Sequence, residues 1–369
     1  MPSLLPEPIG RIRFDVQGMQ PYVVQDAQGM VKLDAMENPH RLPAELQSAL
    51  GQRLGALALN RYPGHRVTDL RSALLQHAGV ADGFGLTLGN GSDELISLLA
   101  MACARPCDSE GRSIKASVLA PEPGFVMYAM SAQLQGLNFV GVPLTDDFAL
   151  DVPAMLEAIT RHNPALTYLA YPNNPTANLW DDSAMEAVID ATRTQGGLVV
   201  IDEAYQPFAA RSYIDRLARH SHVLLLRTLS KFGLAGVRLG YLIGPDALIQ
   251  QIDKVRPPYN ISVLNAEAAL FALEHTSVFE SQAQDIRSQR TFLLSELLHL
   301  PDVRVFPSEA NMILLRVSDA QKTFSGLCSR GVLIKNVSKM HPLLLNCLRL
   351  TVGTEPENRL LLAALRASL

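Results

Sequence analysis

Short apolar stretches alternate with stretches of helical periodicity from Leu46 to about Lys254. The apolar stretches predict β-strands, and the periodic stretches predict helices. We predict strands at 113–120, 165–171, 198–202, 223–227 and 238–243, and helices at 124–135 and 183–195. Alternation of this kind is typical of a mostly parallel sheet with helices on both faces. The sequence therefore predicts a large α/β domain over residues 46–256.

The pattern changes after Pro257 and Pro258. A long helical region at 262–300 is followed by strand-like runs at 303–306 and 312–317, a helix, further runs at 332–337 and 348–352, and a closing helix. This order predicts a smaller α+β domain over residues 257–369. Prolines in residues 1–45 exclude a long helix there. We interpret that segment as an arm that contributes to the smaller domain and to the active site.

Charge and composition exclude several classes of function. The 369 residues include 32 Lys and Arg against 36 Asp and Glu, a net charge of −4, so there is no basic surplus for nucleic acid. The most apolar stretch, 95–104, is about half the length of a membrane helix, and the N-terminus lacks the pattern of a signal peptide. We expect a cytoplasmic protein without membrane or nucleic-acid partners. The four cysteines form no C-x-x-C pair, so no metal site is expected.

Two loops at predicted strand ends are rich in small and amide residues. Residues 89–94 read G-N-G-S-D-E and lead into a helical pattern, where free backbone N–H groups suit a phosphate. Ser92 or Asp93 as a simple helix cap is the alternative. Residues 171–176 read Y-P-N-N-P-T, an extended turn that can point an Asn into a cleft. An ordinary turn is the alternative there.

Two further strand ends carry charged residues. Asp202 ends the apolar run 198–202, where burial would require a cationic or hydrogen-bonding partner for its carboxylate. A helix cap or a structural salt bridge is the alternative. Lys231 follows the strand at 223–227 among small residues, in the run T-L-S-K-F-G-L-A-G-V-R. A crowded, partly apolar site lowers the pKa of a lysine and makes its amine nucleophilic. A solvated loop lysine is the alternative.

The four strand ends together match the needs of pyridoxal phosphate (PLP). The carboxyl ends of parallel strands meet at one edge of a sheet, which is where α/β proteins bind ligands. PLP requires a lysine for covalent attachment, an acid at the pyridine nitrogen and a cradle for its phosphate. Lys231, Asp202 and residues 89–94 supply these three groups. We therefore predict PLP as the cofactor.

The order of motifs resembles the fold-type I PLP-dependent aminotransferases, and among them most closely the histidinol-phosphate aminotransferase family. The motifs are E-N-P, R-Y-P, G-x-G-S-D-E, P-N-N-P-T, D-E-A-Y, S-K with a following Arg, and L-R-x-T-V-G-T. They run from Pro21 and Tyr22 to Thr354, almost the whole chain. The resemblance implies the aspartate-aminotransferase-like PLP-transferase fold, with a mostly parallel central sheet and a smaller α+β domain.

The resemblance also implies roles for individual residues. Lys231 would hold the cofactor and shuttle a proton between the substrate Cα and the cofactor C4′. Asp202 would pair with the pyridinium nitrogen, Asn174 and Tyr205 would contact the 3′-oxygen, and Phe125 would stack on the ring. The residues that match the phosphate site are Gly91, Ser92, Asp93, Ser230 and Arg238.

Further positions imply a shared site and a substrate grip. Tyr62, in R-Y-P, matches a residue that reaches the cofactor phosphate of the neighbouring subunit, which implies a homodimer with shared active sites. Tyr22, Asn174, Lys335 and Arg349 match substrate-binding positions. The guanidinium of Arg349 would bind the phosphate of one substrate and the carboxylate of the other, because its fork matches both.

The reaction that the resemblance implies is ping-pong amino transfer between L-histidinol phosphate and 2-oxoglutarate in histidine biosynthesis. Three alternatives stay open on sequence grounds. They are an aromatic amino acid aminotransferase of broader specificity, a threonine-phosphate decarboxylase, and a PLP-binding regulator without turnover. The regulator is disfavoured because no DNA-binding domain accompanies an intact catalytic set.

Three positions depart from the pattern of relatives. Ala177 replaces the Gly usual after P-N-N-P-T, which predicts a negative φ at this position. The lysine motif is one residue shorter than in many relatives. Lys335 stands where some relatives carry Arg, which preserves the charge but not a bidentate grip.

Overall fold

A computed structural model describes residues 8–19, 25–104 and 115–369. Its centre is a sheet of seven strands in the order β2-β8-β7-β6-β5-β3-β4, in which β8 alone runs antiparallel to its neighbours. The strands are β2 (Phe84–Gly89), β3 (Ser117–Glu122), β4 (Asn138–Pro143), β5 (Leu166–Ala170), β6 (Leu198–Asp202), β7 (Val223–Thr228) and β8 (Gly240–Pro245). The predicted mostly parallel α/β sheet is confirmed.

Both faces of this sheet are covered by helices. Side chains alternate between the faces of a strand, and here Leu225 lies in one hydrophobic core while Leu224 and Leu226 lie in another. Burial on both faces explains why these strands are uninterrupted apolar runs. The helices are α2 (Ala44–Gly55), α3 (Arg66–Ala78), α4 (Gly91–Cys103), α5 (Val126–Leu134), α6 (Val152–His162), α7 (Asp182–Thr194), α8 (Ile214–Leu217) and α9 (Asp246–Asp253).

A second, antiparallel sheet of four strands follows in the order β12-β13-β10-β9. Its strands are β9 (Arg304–Val305), β10 (Met312–Arg316), β12 (Lys335–Asn336) and β13 (Cys347–Thr351). A third core covers this sheet with the helices α11 (Thr276–Leu297), α12 (Ala320–Ser329) and α13 (Glu355–Arg366). The closing helix α13 begins with a capping box between Thr354 and Glu357.

The N-terminal segment joins this second unit. β1 (Val31–Lys32) pairs in parallel with β11 (Val332–Leu333), and Leu33 and Met36 lie in the third core. Before β1 come a 3-10 turn at Pro8–Arg11 and α1 (Phe14–Gln17), and no residue of α1 is buried. The division of the chain at residues 45 and 256 stays a prediction. Ala266 and Leu270 of α10 (Val263–Glu274) pack into the core that contains Leu225. In contrast, α11 contributes to the third core from Ala283 onward.

Differences from the predicted elements have local reasons. The sequence predicts no range for β2 or β4, because β2 contains Gly85 and Gly89 and β4 is a half-buried edge strand with Gly141. The helical region 262–300 is two helices that meet at His275. The run 332–337 is two short strands with different partners. No helix in the described ranges is both long and apolar enough to cross a membrane.

A buried ion pair joins the ends of two neighbouring strands of the central sheet. Glu203, which follows β6, is 1% exposed and accepts from Nε and an amino nitrogen of Arg227 at 3.0 and 2.9 Å. The same carboxylate accepts from the hydroxyl of Ser212 and the backbone N–H of Tyr213. These bonds tie β6, β7 and the loop before α8 together.

We predict that Glu203→Gln lowers the free energy of unfolding by about 3 kcal/mol, because it leaves the Arg227 guanidinium buried without its counter-charge. The control is Asp190→Asn, which breaks an exposed ion pair with Arg193 (3.0 Å) and is expected to cost less than about 0.5 kcal/mol. Urea unfolding at fixed cofactor and protein concentration measures both. Equal losses in the two variants would contradict this prediction.

Candidate active site

One cavity lies at the carboxyl ends of β5, β6 and β7, where the sequence predicts the site. The predicted residues that line it are Ser92, Asp93, Phe125, Asn174, Asp202, Tyr205, Ser230, Lys231 and Arg238. They come from separate loops up to 146 residues apart in the chain (92 to 238) and meet because neighbouring strands end side by side. Met36 and Tyr128 also line the cavity, although neither was predicted.

Lys231 lies on a wide helical turn, Ser230–Leu234, that directly follows β7. The turn requires Gly233, because φ there is 142° and a Cβ would lie 2.8 Å from the ring of Phe279. The Lys231 ammonium donates to the carbonyl oxygen of Ala35 at 3.1 Å. Burial, and next the positive charge of Arg349, lower the pKa of Lys231 to about 8. Roughly one tenth of this amine is therefore uncharged at pH 7, far more than for an ordinary lysine.

Asp202 ends β6 with its carboxylate buried in the cavity wall. The hydroxyl of Tyr128 donates to Oδ2 at 2.7 Å, and the backbone N–H of Ala204 donates to Oδ1 at 3.0 Å. Burial raises the pKa of Asp202 to about 6, and these two hydrogen bonds act in the opposite direction. Because it is buried, the carboxylate needs a positively charged partner in order to stay ionised.

The N-terminus of α4 forms another end of the cavity. The helix begins at Gly91, and Asn90 holds the cap position, so neither Ser92 nor Asp93 acts as the simple cap. Backbones approach closely here: a Cβ on Gly240 would lie 2.6 Å from the carbonyl carbon of Gly91. Arg238, in the left-handed region at φ 53°, donates to Asp93 at 3.1 Å. Backbone donors and a guanidinium at one helix end suit a phosphate.

A hydrogen-bonded chain connects the large sheet with the second sheet. The amide nitrogen of Asn174 donates to the hydroxyl oxygen of Tyr205 at 3.0 Å. Arg349, on β13, donates to the amide oxygen of Asn174 at 2.7 Å and to the carbonyl oxygen of Asp34 at 2.8 Å. The guanidinium is buried beside the cavity, so these bonds fix its direction.

The prediction of a negative φ at Ala177 is wrong. Its φ is 66°, the left-handed conformation that an L-residue adopts at a cost of roughly 1–2 kcal/mol. Two backbone hydrogen bonds hold it: its N–H donates to the carbonyl of Asn173 at 2.8 Å, and Glu309 N–H donates to its carbonyl at 2.7 Å. The surrounding structure therefore holds Ala177 in a conformation that glycine adopts more readily.

Four predicted residues in the described part of the chain do not line the cavity itself: Tyr62, Gly91, Lys335 and Arg349. Tyr62 does not line it but stacks on Tyr259 at the surface, with ring centroids 4.1 Å apart. Lys335 lies opposite Arg349 on the neighbouring strand and is half-buried. Gly91 is so close to the Arg238 guanidinium that a Cβ at this position would collide with it. Tyr22 lies outside the described residues.

Sequence reasoning missed six of the lining residues, among them Tyr128 and Met36. Tyr128 lies three residues after Phe125, and this i, i+3 spacing at the start of α5 would have indicated a shared face. Met36 has φ 53°; its N–H donates to the Thr351 hydroxyl at 3.0 Å, and its carbonyl accepts from Asn311 at 2.9 Å. No local pattern indicated Met36, because both partners are more than 270 residues away in the chain.

Comparison with known proteins decides the family. The model of the aminotransferase class I and II family matches residues 28–365. A histidinol-phosphate aminotransferase of Polaromonas naphthalenivorans is 68% identical over 358 residues, covering 97% of this chain and 96% of the relative. One of Methylibium petroleiphilum is 66% identical and covers 100% of this chain and 97% of the relative. The chain belongs to the histidinol-phosphate aminotransferase family.

Solved structures place the aminotransferase among proteins of the same fold. A histidinol-phosphate aminotransferase from Sinorhizobium meliloti in complex with pyridoxal-5′-phosphate superposes with a TM-score of 0.82 at 26% identity, covering 96% of each chain. An aspartate aminotransferase mutant from Thermus thermophilus, at 22% identity, shares the fold with a TM-score of 0.78. The predicted PLP-transferase fold is confirmed, and so is the prediction of a PLP-dependent aminotransferase.

The residues of the cavity fit PLP. An amine, a desolvated carboxylate and a helix N-terminus with a guanidinium all face one cavity, and Phe125 also lines it. The close backbone approach at Gly91 and Gly240 leaves no room for a Cβ, which keeps the α4 N–H groups accessible. These are the groups that PLP requires for attachment, for its ring nitrogen and for its phosphate.

We predict that Lys231 in the cofactor-free protein becomes reactive as the pH rises through about 8, below the range of an ordinary lysine, because burial and Arg349 disfavour its charged form. Competitive labelling with acetic anhydride across pH 6–11 measures this, with Nα-acetyl-lysine in the same solution as the standard. A midpoint for Lys231 that coincides with that of the standard would contradict the prediction.

Proposed function

We propose that this aminotransferase transfers the amino group of L-histidinol phosphate to 2-oxoglutarate, giving imidazole acetol phosphate and L-glutamate, as a step of histidine biosynthesis. The observation that carries the proposal is the identity of 63–68% to several proteins named histidinol-phosphate aminotransferase over almost the full chain. We also propose a cytoplasmic location, because phosphorylated substrates do not cross membranes freely.

The cavity residues divide into those that hold the cofactor and those that move protons. When bound, PLP supplies an electron sink for the bonding electrons released at the substrate Cα. Lys231 holds it and carries the proton to and from Cα, for which a pKa of about 8 is suitable. Asp202 binds the ring nitrogen, Asn174 and Tyr205 bind the ring oxygen, and Phe125 packs on the ring. The phosphate is held by Gly91, Ser92, Asp93, Ser230 and Arg238.

Arg349 is proposed to bind the anionic group of each substrate in turn. Its fixed guanidinium presents a planar fork that fits a phosphate and a carboxylate alike. One cation can thus serve both halves of a ping-pong cycle, in which donor and acceptor occupy the same site alternately. Asn174, which Arg349 contacts, orients the substrate next to it. Tyr22 and Lys335 are proposed to complete the substrate site.

A homodimer with shared active sites completes the proposal. Tyr62 and Tyr259 are 74% and 60% exposed, and the exposed Leu59 and Leu264 are their near neighbours in sequence. We propose that these four exposed side chains form one apolar patch, which is typical of an interaction surface. Asn260, next to Tyr259, accepts through its carbonyl from Asn90 at 2.7 Å, so the patch is linked to the phosphate end of the cavity. We propose that Tyr62 reaches the cofactor phosphate of the partner subunit.

The proposed substrate is tested with a panel of amino donors. Histidinol phosphate is expected to convert the bound cofactor to its amino form, seen as loss of the PLP absorbance band, at least tenfold more efficiently than phenylalanine or tyrosine. Lys231→Ala is expected to lose this conversion with every donor. Equal efficiency with the aromatic donors would favour the broader aminotransferase, and release of carbon dioxide from threonine phosphate would favour the decarboxylase.

The shared site makes a separate prediction. Tyr62→Phe is expected to weaken cofactor binding about tenfold, because one hydrogen bond to a charged phosphate is lost. Tyr259→Phe is the matched control, since it removes a hydroxyl from the same stacked pair and is expected to leave the affinity unchanged. Cofactor affinity is measured by fluorescence titration. An unchanged affinity in Tyr62→Phe would leave Tyr62 as a packing residue.

A further inference from the structure

We infer that Tyr128 is a positioning residue: its hydroxyl holds the Asp202 carboxylate in place as the acceptor for the ring nitrogen of the cofactor. The inference rests on the proposed role of Asp202. Tyr128 reaches Asp202 from a different element, since it lies on α5 whereas Asp202 ends β6.

Both oxygens of Asp202 are fixed by hydrogen bonds from the protein. Tyr128 donates to Oδ2 at 2.7 Å, and the Ala204 N–H donates to Oδ1 at 3.0 Å. A carboxylate has about four lone-pair positions, so an acceptor position for the cofactor ring is left. With one donor on each oxygen, the carboxylate cannot rotate without losing a bond. Tyr128 therefore determines the direction in which the free lone pairs point.

The ring of Tyr128 is itself held by two aromatic contacts. It stacks on Tyr168, with centroids 4.3 Å apart and planes 11° from parallel. Phe125 meets it edge-on at 5.7 Å and 85°. Phe125 is the proposed residue that stacks on the cofactor ring, and Asp202 is the proposed partner of the ring nitrogen. Tyr128 contacts both of them. A shift of either residue would move the other.

The electrostatics require Tyr128 to donate. Burial raises the pKa of Tyr128 well above its ordinary value, so the phenol keeps its proton and directs it at Asp202. Burial also raises the pKa of Asp202, while the Tyr128 hydrogen bond is the leading influence that lowers it. The titratable and charged groups around Asp202 are Asp93, Glu203, Tyr128, Tyr168, Tyr205, Lys231 and Arg238.

The pH consequence has a definite sign. Without the Tyr128 hydroxyl, the pKa of Asp202 rises above about 6, so the neutral acid persists to higher pH. A neutral acid must release its proton before it can pair with a protonated ring nitrogen. Binding therefore weakens on the acid side of that pKa, and this acid limb moves to higher pH. Loss of packing alone would weaken binding equally at every pH.

Tyr168 provides a matched control. It is as deeply buried as Tyr128 and belongs to the same stacked pair, and its hydroxyl oxygen has no hydrogen-bond partner among the described residues. Tyr168→Phe therefore removes the same atom from the same stack without removing a bond to Asp202. Unfolding midpoints of both variants establish that each is folded.

The experiment measures pyridoxamine phosphate binding to the cofactor-depleted full-length enzyme from pH 5 to 9, as the ratio of wild-type to variant affinity. Ionisation of pyridoxamine phosphate affects the wild type and the variant equally, so its effect cancels in this ratio. Tyr128→Phe is expected to match the wild type within about twofold at pH 9 and to bind about tenfold more weakly at pH 5, an acid limb shifted by about one pH unit. Tyr168→Phe is expected to give a flat ratio. A flat ratio for Tyr128→Phe overturns the inference.

Asp202→Asn separates this inference from the proposed function. In that background the added Tyr128→Phe is expected to have no pH-dependent effect, because no carboxylate remains to titrate. A pH-dependent effect that persists there would overturn the role assigned to Tyr128. If Asp202→Asn by itself leaves the acid limb unchanged, the proposed role of Asp202 fails, and the inference about Tyr128 fails with it. The binding assay uses no substrate, so the identity of the amino donor does not enter.

Discussion

The burial of two ionisable groups at neighbouring strand ends is the constraint on which this structure depends. The Asp202 carboxylate and the Lys231 amine line the same cavity. Desolvation raises the pKa of Asp202 and lowers the pKa of Lys231, so it favours the neutral form of both groups. Each is therefore responsive to a partner of suitable charge near neutral pH. The parallel arrangement of β6 and β7 keeps them together, because the two strands end at the same edge of the sheet.

The surrounding protein stabilises this arrangement at several levels. The ion pair of Glu203 and Arg227 joins the ends of the two strands and has almost no contact with solvent. Hydrogen bonds from Arg349 to Asn174 and to the Asp34 carbonyl bring the second sheet and the N-terminal segment to the same site. The cavity is thus formed where three parts of the chain meet, which is a common position for a ligand site.

Much of this could be predicted from the sequence. The strand at 198–202 coincides with β6, and every predicted cofactor residue in the four strand-end loops either lines the cavity or, like Gly91, lies directly behind it. The prediction at Ala177 failed because residue type alone was used to infer a backbone angle that hydrogen bonds with Asn173 and Glu309 hold in place. Strands β2 and β4 were missed because their glycines weaken the apolar pattern.

The sequence by itself determined the alternation of strands and helices in the large domain, the cofactor and the family, because apolar periodicity and short motifs are local properties of the chain. Only the tertiary structure decided that Tyr128 donates to Asp202, that Arg238 pairs with Asp93, and that the Ala35 carbonyl accepts from Lys231. These partners are between 74 and 196 residues apart. No local spacing encodes such contacts, since they exist only after the strands have assembled into a sheet.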